Sequence, residues 1–236
     1  MSRKNPTPMM LQGLRDSAPF LLVIVPFGML FGVLATEAGL KIGETMAMTV
    51  LVIAGAAQFA ALQQMVADTP VVMIILTALA VNLRMAMYSA SLTPHLGKAP
   101  LWQRALLAYL MVDQAFVLSA AKYERAPELS LSARVRYYVG TMVLTAPAWY
   151  TATLFGALGA RAIPPGFALD FAAPITFLAM IGPMLRTLPH LVAAIVSIVL
   201  ALAFHGFPYG TGLLVAAAAA MAAGVVTEQA MGRFRP

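Results

Sequence analysis

The chain has 236 residues, 61% of them hydrophobic and only 10% charged, with no cysteine and a formal net charge of +6. Soluble domains carry closer to a quarter charged residues, so a soluble domain, and with it a nucleic-acid reading of the positive charge, is excluded. The missing cysteine excludes a disulfide framework, a thiolate metal site and a cysteine nucleophile.

The mean hydropathy is +0.85, and the apolar runs are about 20 residues long rather than ten-residue alternations. This predicts an all-α integral membrane protein, a polytopic helix bundle forming one transmembrane domain over 1–236. Residues 1–16 are polar and basic. The first apolar run, 17–38, is long enough to span by itself, so no cleavable signal peptide is expected. Candidate spans follow at 46–66, 70–93, 101–121, 136–160, 170–187, 190–206 and 210–229. A seven-span alternative makes the second run re-entrant. Pro70 and Pro100 stand where helices would start, with Asp68 or Thr69 as a cap for the third span. Pro189 separates spans six and seven, and Pro164-Pro165-Gly166 marks a loop.

With the N-terminus inside, Arg3, Lys4, Arg15, Lys122, Arg125, Arg134, Arg136, Arg186, Arg233 and Arg235 fall on the inner side. Lys41, Lys98, Arg104 and Arg161 fall outside. The inner excess predicts that both termini are cytoplasmic.

Within the first span Pro26 precedes Gly28 and Gly32, a G-x-x-x-G spacing that lets another backbone approach closely. In the second, the small cluster Ala54, Gly55, Ala56 and Ala57 permits either tight packing or a local helix break. Broken helices line midplane sites in many transporters, and Gln58 stands next to this one. The third span carries Asn82, Arg84 and Tyr88, and the fourth carries Asp113. An arginine in a membrane span is costly unless it faces protein or water. Counting helical rise from the span ends puts Gln58 about 16 Å, Arg84 about 14 Å and Asp113 about 18 Å deep, in one layer. That layer suits a small zwitterion, with Arg84 or exposed helix N-termini receiving a carboxylate and Asp113, Gln58 or backbone carbonyls an ammonium group. Asp113 is also a candidate to carry a coupling proton. The structural alternative is a buried Arg84–Asp113 ion pair that holds two helices, with Gln58 bonding across an interface. On a straight helix Asn82 points away from Arg84, whereas Tyr88 shares its face.

The remaining polar residues are weaker candidates. Gln63 and Gln64 read as interfacial, Asp170 as a helix cap, and Trp102 and Tyr209 as interfacial anchors. His95, His190 and His205 have no ligand spacing, so no metal or other cofactor is expected. Catalytic signatures are lacking, which argues against an enzyme.

The runs GLRDSAPFLLVIVPFGMLFGVLATEAGL, AGAAQF, VNLRMAMYSASL, VDQAF and DFAAP together resemble the AzlC family of bacterial branched-chain amino acid permeases and exporters. The likeness covers about residues 13 to 190, and AGAAQF followed by NLR-x-x-x-Y is its most specific part. The resemblance implies an inner-membrane exporter of leucine, isoleucine, valine and related apolar amino acids, acting with a small AzlD-type membrane subunit. Its pattern falls on Pro26, Gly55, Gln58, Phe59, Asn82, Arg84, Tyr88 and Asp113. Family members often carry an Asp-Glu pair where this chain has Asp113-Gln114, and the variable position held here by Asn82 can be acidic in relatives. Asp113 is therefore the only midplane carboxylate left. A non-transporting membrane subunit, or an exporter of another small molecule, are the alternatives.

Overall fold

In a computed structural model the chain is helical, with no strand, among the described residues, which are 9–160, 185, 187–208 and 211–233. Nearly all of the sixth expected span lies outside them, with Asp170, the 164–166 loop, Arg161, Arg186, Tyr209, Arg3, Lys4 and Arg235. Among the described residues three stretches are long and apolar enough to cross a membrane: Met9–Glu37, Val71–Leu96 and Thr211–Gly232. The described helices form an all-α membrane fold, in two compact units.

The first unit comprises 1–58 and 81–165. It begins with α1 (Met9–Ser17), a 3-10 turn (Ala18–Phe20) and α2 (Leu21–Glu37). The polar start expected at 1–16 thus already turns helical at Met9. The cause is packing on α8 (Leu131–Gly159). A Cβ at Gly13 would overlap the Tyr137 carbonyl, and the Tyr137 hydroxyl donates to Asp16 Oδ2 at 2.7 Å. Higher up, a Cβ at Gly32 would overlap the Thr153 carbonyl, and one at Gly156 the carbonyl of Met29. Gly28 lies against Trp149 and Ala152. The G-x-x-x-G spacing is therefore a close-packing surface, and α2 runs through Pro26 without a break. Residues later in α1 and α2 meet residues later in α8, ending with the Thr36 hydroxyl on the Ala157 carbonyl at 3.4 Å. The two run parallel.

The second expected span is divided into α3 (Ile42–Leu51) and α4 (Gly55–Val66). Gly55 sits against the rings of Phe27 and Trp149, where a Cβ would not fit. The fourth is divided too, into α6 (Leu101–Tyr109) and α7 (Asp113–Arg125), which the sequence reading had as one continuous helix. Each break frees a carbonyl that a tyrosine hydroxyl takes. The Ala54 amide turns to Val52, and Val50's carbonyl accepts from Tyr109 at 2.6 Å. The Met111 amide turns to Ala108, and Leu107's carbonyl accepts from the buried Tyr138 at 3.0 Å. A freed backbone carbonyl in an apolar surrounding costs several kcal/mol when left bare, on the order of 2–7, so these hydroxyls make the breaks tenable.

α5 (Val71–Leu96) ends in this unit, where Leu92 and Leu96 join a core with Leu107, Ala115, Tyr123, Tyr138 and Met142. α7 and α8 form a hairpin. Ser130 caps α8 by accepting from the Ala133 amide, and the Tyr123 hydroxyl donates to the Arg134 carbonyl at 2.8 Å.

The second unit comprises 59–80 and 166–236. Asp68, at φ 50°, closes the end of α4. Asp68 or Thr69 was the expected cap for α5, whose first backbone bonds run from Met73 and Ile74 to the Pro70 carbonyl. Farther on, α9 (Leu188–Ala203) carries Pro189 in its first turn and packs antiparallel on α10 (Thr211–Arg233), with Gly224 against Ala193 and Pro189.

Candidate functional site

Arg84 stands mid-way along α5 and Asp113 is the first residue of α7. Arg84 Nη1 lies 3.0 Å from Asp113 Oδ2, and the side chains are 27% and 32% exposed. Asp113 suits its place because the N-terminal end of a helix carries partial positive charge. The first turn of α7 has no side-chain cap, and its first intrahelical bond is Phe116 N–H to the Val112 carbonyl. One turn beyond each charge, Tyr88 and Phe116 stack with centroids 4.0 Å apart and planes 8° from parallel. The two contacts fix the register of α5 on α7. Arg84 Nε and Asp113 Oδ1 are both buried and make no hydrogen bond of good geometry, although the Tyr88 hydroxyl is close enough to interact with the Asp113 carboxylate. The pair thus presents a spare donor beside a spare acceptor, at an uncapped helix start.

Gln58 is fully buried, and its amide donates to Thr49 Oγ1 at 3.0 Å, bridging from α4 back to α3 across the first break. Its Oε1 has no partner. Among the described residues neither Gln58 nor Asn82 bonds to the ion pair, so the structure joins Arg84, Asp113 and Tyr88 but not all five expected residues. The common-depth count assumed continuous rods, and both Gln58 and Asp113 instead follow a break. Asn82 Oδ1 is buried and unpartnered, two residues from Arg84 and on another face.

A cleft of about 280 Å³ runs between the end of α5 and α6, lined by Ser89, Leu92, Leu96, Arg104, Leu107 and Met111 among others. None of Arg84, Tyr88 and Asp113 lines it. Of the weaker candidates, His95 packs on the Tyr123 ring and His190 bonds Thr187 Oγ1 at 3.1 Å. No group of three metal-ligating side chains occurs among the described residues. Phe116, Thr49 and the tyrosines at the breaks were missed. Only Phe116 had a signal, its spacing from Asp113 mirroring that of Tyr88 from Arg84.

A family model described as AzlC protein matches residues 19–163, more than half the chain. The chain belongs to the AzlC family. This AzlC protein is 24% identical over 177 residues to the inner membrane protein YgaZ of Escherichia coli K12, covering 72% of this chain and 71% of YgaZ. It is 28% identical over 198 residues to an uncharacterized membrane protein of Archaeoglobus fulgidus, covering 82% and 84% of the two chains. A Helicobacter pylori membrane protein is 29% identical over 112 residues, 46% of this chain and 49% of that one. No solved structure matches it. These relatives are membrane proteins, which is consistent with a membrane transport-related role for this one.

Proposed function

We propose that this AzlC protein is a secondary exporter of branched-chain and other apolar amino acids across a bacterial inner membrane, acting with a small AzlD-type subunit. The observation that carries the reading is the Arg84–Asp113 pair, which keeps one donor and one acceptor without a hydrogen bond of good geometry at the open start of α7. An amino acid presents the complement, a carboxylate for Arg84 Nε and the free amides of α7, and an ammonium group for Asp113 Oδ1. Both atoms are buried in the described arrangement, so binding requires the helices around them to open. In the cleft between α5 and α6, the side formed by Leu92, Leu96, Leu107 and Met111 suits an aliphatic side chain. Asp113 is the candidate for a coupling proton. Gln58 and Asn82 belong to the binding layer in a second arrangement of the broken helices, since neither reaches the pair in this one.

For topology we propose eight spans with both termini cytoplasmic. The parallel course of α2 and α8 supports this, because it requires an odd number of crossings between them. The runs at 46–66, 70–93 and 101–121 supply three, whereas a re-entrant second run leaves two.

Counterflow of labelled leucine into proteoliposomes, with and without the partner subunit, tests the function. Uptake is expected with the partner and lost in both Arg84→Ala and Asp113→Asn. Wild-type rates in both variants refute the roles. Absence of any counterflow, with no stabilisation of the purified complex by leucine, favours a non-transporting subunit.

A further inference from the structure

Tyr109 is the last residue of α6, four before Asp113, and Val50 is the last but one of α3, eight before Gln58. The Tyr109 hydroxyl donates to the Val50 carbonyl at 2.6 Å and lies 2.8 Å from the Tyr150 hydroxyl. A phenol has one hydrogen. With that hydrogen on Val50, Tyr109 accepts from Tyr150, so a chain of two bonds runs from α8 through the end of α6 to the end of α3. The carbonyl it reaches is the one released by the first break, and the residue that reaches it opens the second. On the other side of the first break Trp149, next to Tyr150, packs against Gly55.

From this geometry we infer that Tyr109 is a positioning residue that couples the two helix breaks, so that α4 and α7 change arrangement together rather than separately. α8, closely packed on α1 and α2 through glycines, is the fixed member. Among the described residues Tyr109 bonds to Val50 and Tyr150 and to neither charge of the ion pair; it acts on Asp113 through the end of α6 and on Gln58 through the end of α3. The coupling rests on these contacts, while its consequence for transport rests on the exporter reading.

Amide hydrogen exchange of the purified full chain tests it, following peptides over 52–57 and 111–116 in wild type, Tyr109→Phe and Tyr150→Phe. Phenylalanine keeps the ring and removes the hydroxyl. One hydrogen bond contributes about 0.5–1.5 kcal/mol, so Tyr109→Phe is expected to speed exchange roughly two- to twelvefold in both segments. Exchange at the α2–α8 contact should stay unchanged. Tyr150→Phe, which retains the Tyr109–Val50 bond, should give a smaller rise in the same two segments. A rise confined to 111–116 means local fraying of α6 and overturns the inference, as does no rise in either. Faster exchange everywhere marks a folding defect, and Tyr150→Phe then decides, with no rise over 52–57 counting against the coupling. In proteoliposomes Tyr109→Phe is expected to lower the counterflow rate more than the apparent leucine affinity. Inactive wild type would sink the exporter reading and leave the exchange result standing.

Discussion

At the Arg84–Asp113 contact one charge answers the other through a single oxygen, so truncating either leaves its partner exposed to a poor environment. Breaking a fully buried pair costs about 3–5 kcal/mol. Here each side chain is about a quarter to a third exposed, and the cost should fall below that range. Asp113→Asn is therefore expected to lower the melting temperature of the purified protein. The double variant Arg84→Met/Asp113→Leu should recover most of that loss while remaining inactive in counterflow. Equal melting of the single and double variants would show that the pair carries no desolvation strain. At Gln58 the asymmetry lies elsewhere. Gln58→Leu leaves a threonine hydroxyl that can bond back to its own helix, as Thr145 does. Thr49→Val strands a buried amide, at a cost of about 1–3 kcal/mol. Thermal melts should rank Thr49→Val as the more damaging.

Among the elements, α2 and α8 meet where their glycines let backbone lie on backbone. Adding methyl groups to a packed site typically costs about 1–3 kcal/mol. A Cβ at Gly32 or Gly156 meets main chain rather than a flexible side chain, so valine at either should reach or exceed that range. Both variants are expected to lose the monodisperse peak in size-exclusion chromatography after mild heating. Gly159→Ala, where a Cβ meets nothing within 4 Å, should not. The two helix breaks differ in how they could be foreseen. At Ala54-Gly55-Ala56-Ala57 the first was one of two open readings, because the small cluster permits close packing and Gly55 alone weakens the helix. Leu110-Met111-Val112 contains no glycine or proline. There Tyr138, 31 residues away in sequence, takes up the freed Leu107 carbonyl and so makes the break tenable. Helix propensity is a weak preference that tertiary bonds override, and no local pattern encodes such a partner.

For the whole molecule, the proposed orientation makes a prediction that the cysteine-free chain renders easy to check. Cysteine placed at Ser132, at the start of α8, should react with a membrane-impermeant maleimide only from the cytoplasmic side. Cysteine at Lys98, between α5 and α6, should react only from outside. Labelling of both from one side would overturn the eight-span topology.

Membrane residence, helical class and the few residues worth suspecting were readable from residue type alone. Long apolar runs have no stable home in water, and a charge inside one needs a reason to be there. Arg84, Tyr88 and Asp113 could be named for that cause. Their assembly into a pair and a stack, with Gln58 turned to Thr49 and Asn82 held apart, could not. Hydropathy records what a side chain avoids, whereas its partner depends on where distant helices break and cross. Those breaks are stabilised by single hydroxyls reaching across the bundle, and such contacts exist only once the bundle has formed.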